Sequence, residues 1–134
     1  MPFPVELEYI KETEKELGVQ FPLKFIRKMS IENGGEVMTD ESDWQLIPFF
    51  DKSDNKRISR TCNHIIPETE KAREWIGFPS KGITIATNGS GDYLVLLPTE
   101  DSSIKLREEI YIWLHETAEI IYAADSIDDL TEEE

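Results

Sequence analysis

The sequence predicts one α+β domain, with helices first and sheet second, and three observations carry that prediction. Apolar residues recur at helical spacing through the first half of the chain, then switch beyond Gly82 to short alternating runs. A glycine-rich five-residue connection, Asn88 to Asp92, separates two of those runs. The 134 residues, 39% of them hydrophobic, suffice for one core without metals or disulfides. No composition break marks a linker, so the domain is read as residues 1–130, with 131–134 as a frayed acidic tail.

Pro4 stands where a first helix begins, and Leu7, Ile10 and Leu17 share a stripe interrupted by Glu14, with Gly18 as a left-handed cap. Pro22 opens a second helix in which Ile26 and Met29 join Leu23 or Phe25, and Asn33, Gly34 and Gly35 end it. The two helices are expected to form a hairpin. Trp44, Leu46 and Ile47 form a brief strand before Pro48, and Asp51 to Asn55 a polar loop. Ile58, Cys62 and Ile65 repeat as one buried helical face, Pro67 interrupts it, and Ala72, Trp75 and Ile76 form a second helical piece ending at Gly77.

Ile83 to Ile85 and Tyr93 to Leu97 read as a hairpin across Asn88 to Asp92. Ile110, Ile112 and Leu114 alternate with Tyr111, Trp113 and His115, a strand with large side chains on both faces. The run from Ile120 to Ala123 fits either a further strand or the start of a helix. Ser126 is the N-cap of a last short helix, with Asp128 and Asp129 in its first turn.

Charge narrows the function. The net charge is −14, and 11 acids against 2 bases fall between Asp101 and Glu134. Nucleic acid and anionic lipid are repelled by such a surface, so a charged partner should be a basic protein. The candidate contacts are Asp92, Tyr93, Glu100 and Asp101 in loops flanking the hairpin, with Asp51 and Asp54 in the polar loop. The lone Cys62 closes no internal disulfide, no secretory leader opens the chain, and no apolar run approaches the roughly 20 residues that cross a bilayer. A cytoplasmic setting is expected.

Motifs for chemistry are incomplete. The Asn88 to Asp92 loop lacks the Gly-Lys-Ser/Thr of a phosphate loop, and Ser90 is not in a nucleophile elbow. Cys62 and His64 match no zinc spacing, and Cys62 is read as a buried structural residue. His115 and Glu116 begin a zincin-like pattern, but Glu119 stands in place of the second histidine. No catalytic residue, metal or cofactor is assigned.

Several stretches together resemble the SUKH superfamily, in the branch named after fungal cell-wall assembly regulators. They are Leu17-Gly18 with Phe21-Pro22, Asn33-Gly34-Gly35, the run from Trp44 to Pro48, the run from Ile83 to Leu94, the run from Ile110 to Glu116, and the run from Ser126 to Leu130. The resemblance implies an α+β domain with a mixed or antiparallel sheet flanked by helices. For bacterial members it implies a non-catalytic immunity protein that neutralises a toxin domain, often a nuclease; for fungal members, a regulator of wall synthesis. Leu97-Pro98 and Leu23-Lys24 depart from the acids that relatives carry there.

Overall fold

The computed structural model describes residues 3–39 and 42–132. Helix α1 (Leu7–Leu17) buries Ile10 and Thr13, and Gly18 ends it at φ 70° with its amide on the Glu14 carbonyl. The Glu14 side chain that interrupts the apolar stripe accepts the Phe21 amide at 2.8 Å, fixing the turn into the next helix. Helix α2 (Leu23–Ile31) follows Pro22 and buries Phe25 and Met29. Helix α1 lies against α4 (Ile65–Ala72), and α2 against a short 3-10 helix, Ile127–Asp129. The opening helices are therefore both present, but dock chiefly on later elements rather than on each other.

Among the described residues the sheet has seven strands: β1 (Glu36–Met38), β2 (Asp43–Leu46), β3 (Ile83–Thr87), β4 (Tyr93–Leu96), β5 (Ile110–Trp113), β6 (Ile120–Ala124) and β7 (Thr131–Glu132), in the order β6-β5-β4-β3-β2-β1-β7. Every pairing between them is antiparallel. Strand β4 is buried on both faces, which explains its unbroken apolar run. Leu94 and Leu96 enter the larger cluster with Ile10, Phe25, Met29 and Phe49, while Tyr93 and Val95 join Ala72, Phe78 and Trp113 in a smaller one. Because successive strand residues point to opposite faces, the two clusters lie on opposite sides of the sheet. Thr69 of α4 seals the smaller side by accepting the Thr84 amide at 3.1 Å.

The hairpin turn follows its sequence signal, with Gly89 at φ 80° and Gly91 at φ 101°. Other expectations are corrected. Helix α3 (Asn55–Arg60) buries no residue, and Ile58 and Cys62 are exposed, so Cys62 is not a buried structural residue. The reason is Thr61: its hydroxyl donates to the Arg57 carbonyl and accepts the Asp51 amide, and the helix stops there. Pro67 does not interrupt α4, because it sits in the first turn, where its missing N–H is not needed. Trp75 and Ile76 lie in a turn after α4, both exposed. Thr131 and Glu132 are not frayed but pair with β1, whereas Glu133 and Glu134 lie outside the described residues. Ser126 does precede the 3-10 helix, yet its hydroxyl donates to the Asp129 carboxylate instead of capping a backbone amide.

Candidate functional site

The six residues proposed as contacts occupy three places. Asp92 and Tyr93 stand at the start of β4 and Glu100 and Asp101 beyond its other end, with about 13 Å of strand between. Asp51 and Asp54 precede α3. Two of the six turn inward. Asp51 is only 2% exposed, accepts the Ser53 amide and lies 3.8 Å from Arg57. Tyr93, 7% exposed, packs in the smaller cluster, and burial pushes its phenol pKa up, with help from Glu68. Both side chains are thus engaged within the folded chain. Asp54 caps α3 by accepting the Arg57 amide at 2.8 Å. Glu100, its side chain 90% exposed, and Asp101 remain open to solvent, held in a connection whose Leu106 amide bonds Gln20.

Asp92 has a different task from the one expected. Its carboxylate accepts both the His115 amide, at 3.0 Å, and the His115 ring Nδ1, at 2.7 Å, and a second oxygen takes the Asn88 side chain. Burial works to raise the Asp92 pKa, but the hydrogen bonds from His115 and Asn88 together hold it below the usual carboxylate value. A Cβ on Gly91 would stand 3.1 Å from the His115 ring, so glycine makes room for the pair. Ser90 lines the same cavity of about 270 Å³, yet no Ser90–His115 hydrogen bond occurs among the described residues. The pair ties the β3–β4 turn to the end of β5. Antiparallel pairing of Tyr93 with Trp113 sets this up, a register that two separate sequence runs do not reveal.

The sequence shows the apolar run from Ile120 to Ala123 and the acids after Asp101, but not how they are arranged around β6. This edge strand exposes Ile120, Ile121 and Tyr122. Leu114 donates its amide to the Glu119 carbonyl, so antiparallel alternation directs the backbone of Ile121 toward β5 and those of Ile120 and Tyr122 outward. Tyr122 rests edge-on against Tyr111 and donates its hydroxyl to Asp125. That hydrogen bond, then desolvation and the charges of Asp125, Asp129 and Glu109, push its pKa up to about 12. Three carboxylates thus gather around one end of the strand. At the other end, Ala118, at φ 62°, touches Gly77 so closely that a Cβ there would stand 2.5 Å from the Ala118 methyl. The adjoining Trp75 and Ile76, the latter 95% exposed, extend the apolar surface, with Trp75 against His115 and Trp113.

A cluster of cations lies at the opposite end of the sheet. Lys56, Arg57 and Arg60 of α3 all lie over the Phe3 ring, beside a cavity of about 290 Å³ that Gly35, Glu36 and Gln45 of the β1–β2 region help to line. After Arg107, by contrast, come ten acids and no Lys or Arg. The α3 cations have acids beside them too: Arg57 pairs with Asp51 and Asp54, and Glu36 lies on β1 and Glu132 on β7. The two ends therefore differ in how densely acids gather and not simply in sign. Among the described residues no group of His, Cys, Asp or Glu is placed to hold a metal ion, and no helix is long and apolar enough to cross a membrane.

Comparison with known proteins matches this architecture to one family. No curated protein and no solved structure matches the chain. The family described as SMI1/KNR4 (SUKH-1) matches over residues 4–133, spanning the helices, the whole hairpin region and the β6 edge. That family includes both toxin immunity proteins and SMI1/KNR4 regulators, and its domains mediate protein–protein interaction. With nearly the full length matched, the chain belongs to the SMI1/KNR4 family (SUKH-1).

Proposed function

We propose that the protein is a non-catalytic immunity protein that works in the cytoplasm by binding and occluding a basic toxin domain, a nuclease being the class whose charge fits best. The observation that carries this reading is the run of ten acids without a single Lys or Arg after Arg107, much of it gathered around β5 and β6. A nuclease holds its substrate in a basic groove, and an acidic protein of this shape covers such a groove. Glu100 and Asp101 remain the exposed members of the expected contact set and would steer encounter from the neighbouring connection.

Co-expression with a candidate toxin domain taken from a neighbouring reading frame tests the reading. Rescue of growth together with a stable complex is expected. Association should slow as salt rises, since at physiological ionic strength charges act over only about 8 Å. The Glu100→Gln, Asp101→Asn double variant should associate more slowly still. Absence of rescue and a salt-independent rate would overturn it in favour of the regulator reading, a family member that binds another protein with no toxin role.

A further inference from the structure

We infer that the open edge of β6, from Ile120 to Tyr122, takes up an extended basic strand of the partner protein and so adds an eighth strand to the seven-stranded sheet. The inference rests on the proposed reading of a basic partner and names where on this chain, and by what geometry, that partner binds.

Three features point to a strand as the occupant. The backbone N–H and C=O groups of Ile120 and Tyr122 face away from β5, which leaves a ladder ready for pairing. Soluble proteins blunt such edges with Lys, Pro, bulges or very short strands; β6 carries no Lys or Pro over its five residues, and its bulge lies at Ala123, beyond the stretch from Ile120 to Tyr122. Side chains on both faces of the edge are apolar: Ile120 and Tyr122 continue the face of Trp113 and Tyr111, and Ile121 continues the face of Ile112. An added strand would bury alternate side chains against both rows, the pattern by which sheet edges capture peptides.

Charge selects which strand. Glu119 precedes β6 and Asp125 follows it, and Glu109 and Asp129 act on Tyr122 from neighbouring elements. A second copy of this chain would bring the same carboxylates, on a body of net charge −14, against themselves. A strand carrying Lys or Arg meets them favourably at both ends. Trp75 and Ile76, seated beside the β5–β6 turn through the Gly77–Ala118 contact, extend the surface for the partner's apolar side chains.

The probe is a nine-residue peptide alternating Lys with Val, beside the same peptide N-methylated at alternate residues and a Glu/Val counterpart. Amide exchange and binding are followed on the intact protein at low salt. The unmodified basic peptide should bind about tenfold more tightly than its N-methylated form, because only the former can complete the ladder. It should also slow exchange at the Ile120 and Tyr122 amides and lose both effects in Tyr122→Pro, which removes an outward-facing N–H that no described strand uses. The N-methylated peptide decides the matter by itself should that variant fail to fold. Equal binding of the two basic peptides would leave the electrostatic reading standing and sink the added strand. Absence of binding by either would remove the basic-partner reading as well. Protection of the same amides by the acidic peptide, or by raised protein concentration without peptide, would overturn the inference in favour of a charge-blind or self-paired edge.

Discussion

The β6 edge and the β7 edge close the same sheet, yet one is long, apolar and ringed by acids, while the other is a two-residue pairing that ties the chain back to β1. The difference teaches that edge protection is local. At the β7 side the sheet ends in a strand too short to template another chain. At the β6 side a bulge at Ala123 and charge restrain such templating, and charge restrains it selectively, against acidic neighbours but not basic ones. The cations of α3, by contrast, sit at the β1 end, far from this edge.

The largest expected effect comes from removing what holds the β6 side in place. Trp113 is fully buried, stacks edge-on with Phe78 at 5.1 Å and donates its indole N–H to the Gly77 carbonyl. Trp113→Ala should destabilise by about 3–5 kcal/mol in urea unfolding, the range for deleting a large core aromatic. A loss below about 1 kcal/mol would mean that the smaller cluster is dispensable and that the β6 edge is supported from the larger one alone.

Next in size is a contrast between two glycines in the left-handed region. At Gly77, φ 86°, an added Cβ would stand 2.5 Å from the Ala118 methyl, whereas Gly89 at φ 80° faces open space. Gly77→Ala should cost on the order of 2–3 kcal/mol, combining backbone strain with a clash against the β5–β6 turn. Gly89→Ala carries the strain alone and should cost about 1 kcal/mol. Equal losses in thermal unfolding would show that the Gly77–Ala118 contact yields freely and does not position the edge.

Much of this sheet was legible because its signals are local. Asn88 to Asp92 carries its glycines where positive φ occurs, and the runs on either side are short and apolar. What escaped was set by distant partners. Strand β1 is three residues with only Val37 buried, too few for a period to register, and β7 exists only because β1 offers it a ladder. The spacing of Ile58, Cys62 and Ile65 looked helical but spans the stop at Thr61, whose hydroxyl also takes the amide of Asp51, ten residues back. Burial of two candidate contacts was hidden in the same way: Asp51 and Tyr93 read as loop and strand-end positions, and only packing across the fold turns them inward.

The Asp92–His115 link ties the hairpin turn to the strand before β6, and pH offers a milder probe of it. The folded-state pKa of Asp92 lies below its unfolded value. Its contribution is therefore complete above the ordinary carboxylate range and is lost as pH falls through the folded value. At neutral pH Asp92→Asn should lower stability by about 1 kcal/mol, the scale of a partly exposed hydrogen bond to a charged group. The gap between variant and wild type should shrink in urea titrations as pH drops below about 4. A gap that persisted unchanged into acid would assign the effect to shape rather than to the carboxylate charge.

The smallest effect belongs to the other edge. Thr131 pairs with Met38, and the residue before it, Leu130, already has φ −85° and ψ 137°, a conformation that a following proline accepts. Thr131→Pro therefore removes one backbone donor from β7 without forcing the chain upstream out of shape. Its stability loss should not exceed about 1 kcal/mol, the net worth of a ladder hydrogen bond near a chain end. Binding of a basic strand at β6 should be unchanged, because four strands separate β1, the partner of β7, from β6. The informative result is the pairing of this variant with Tyr122→Pro, a substitution of the same kind at the opposite edge. If Thr131→Pro weakened basic-strand binding as much as Tyr122→Pro did, the two edges would be coupled through the whole sheet, and the functional asymmetry between them would fall.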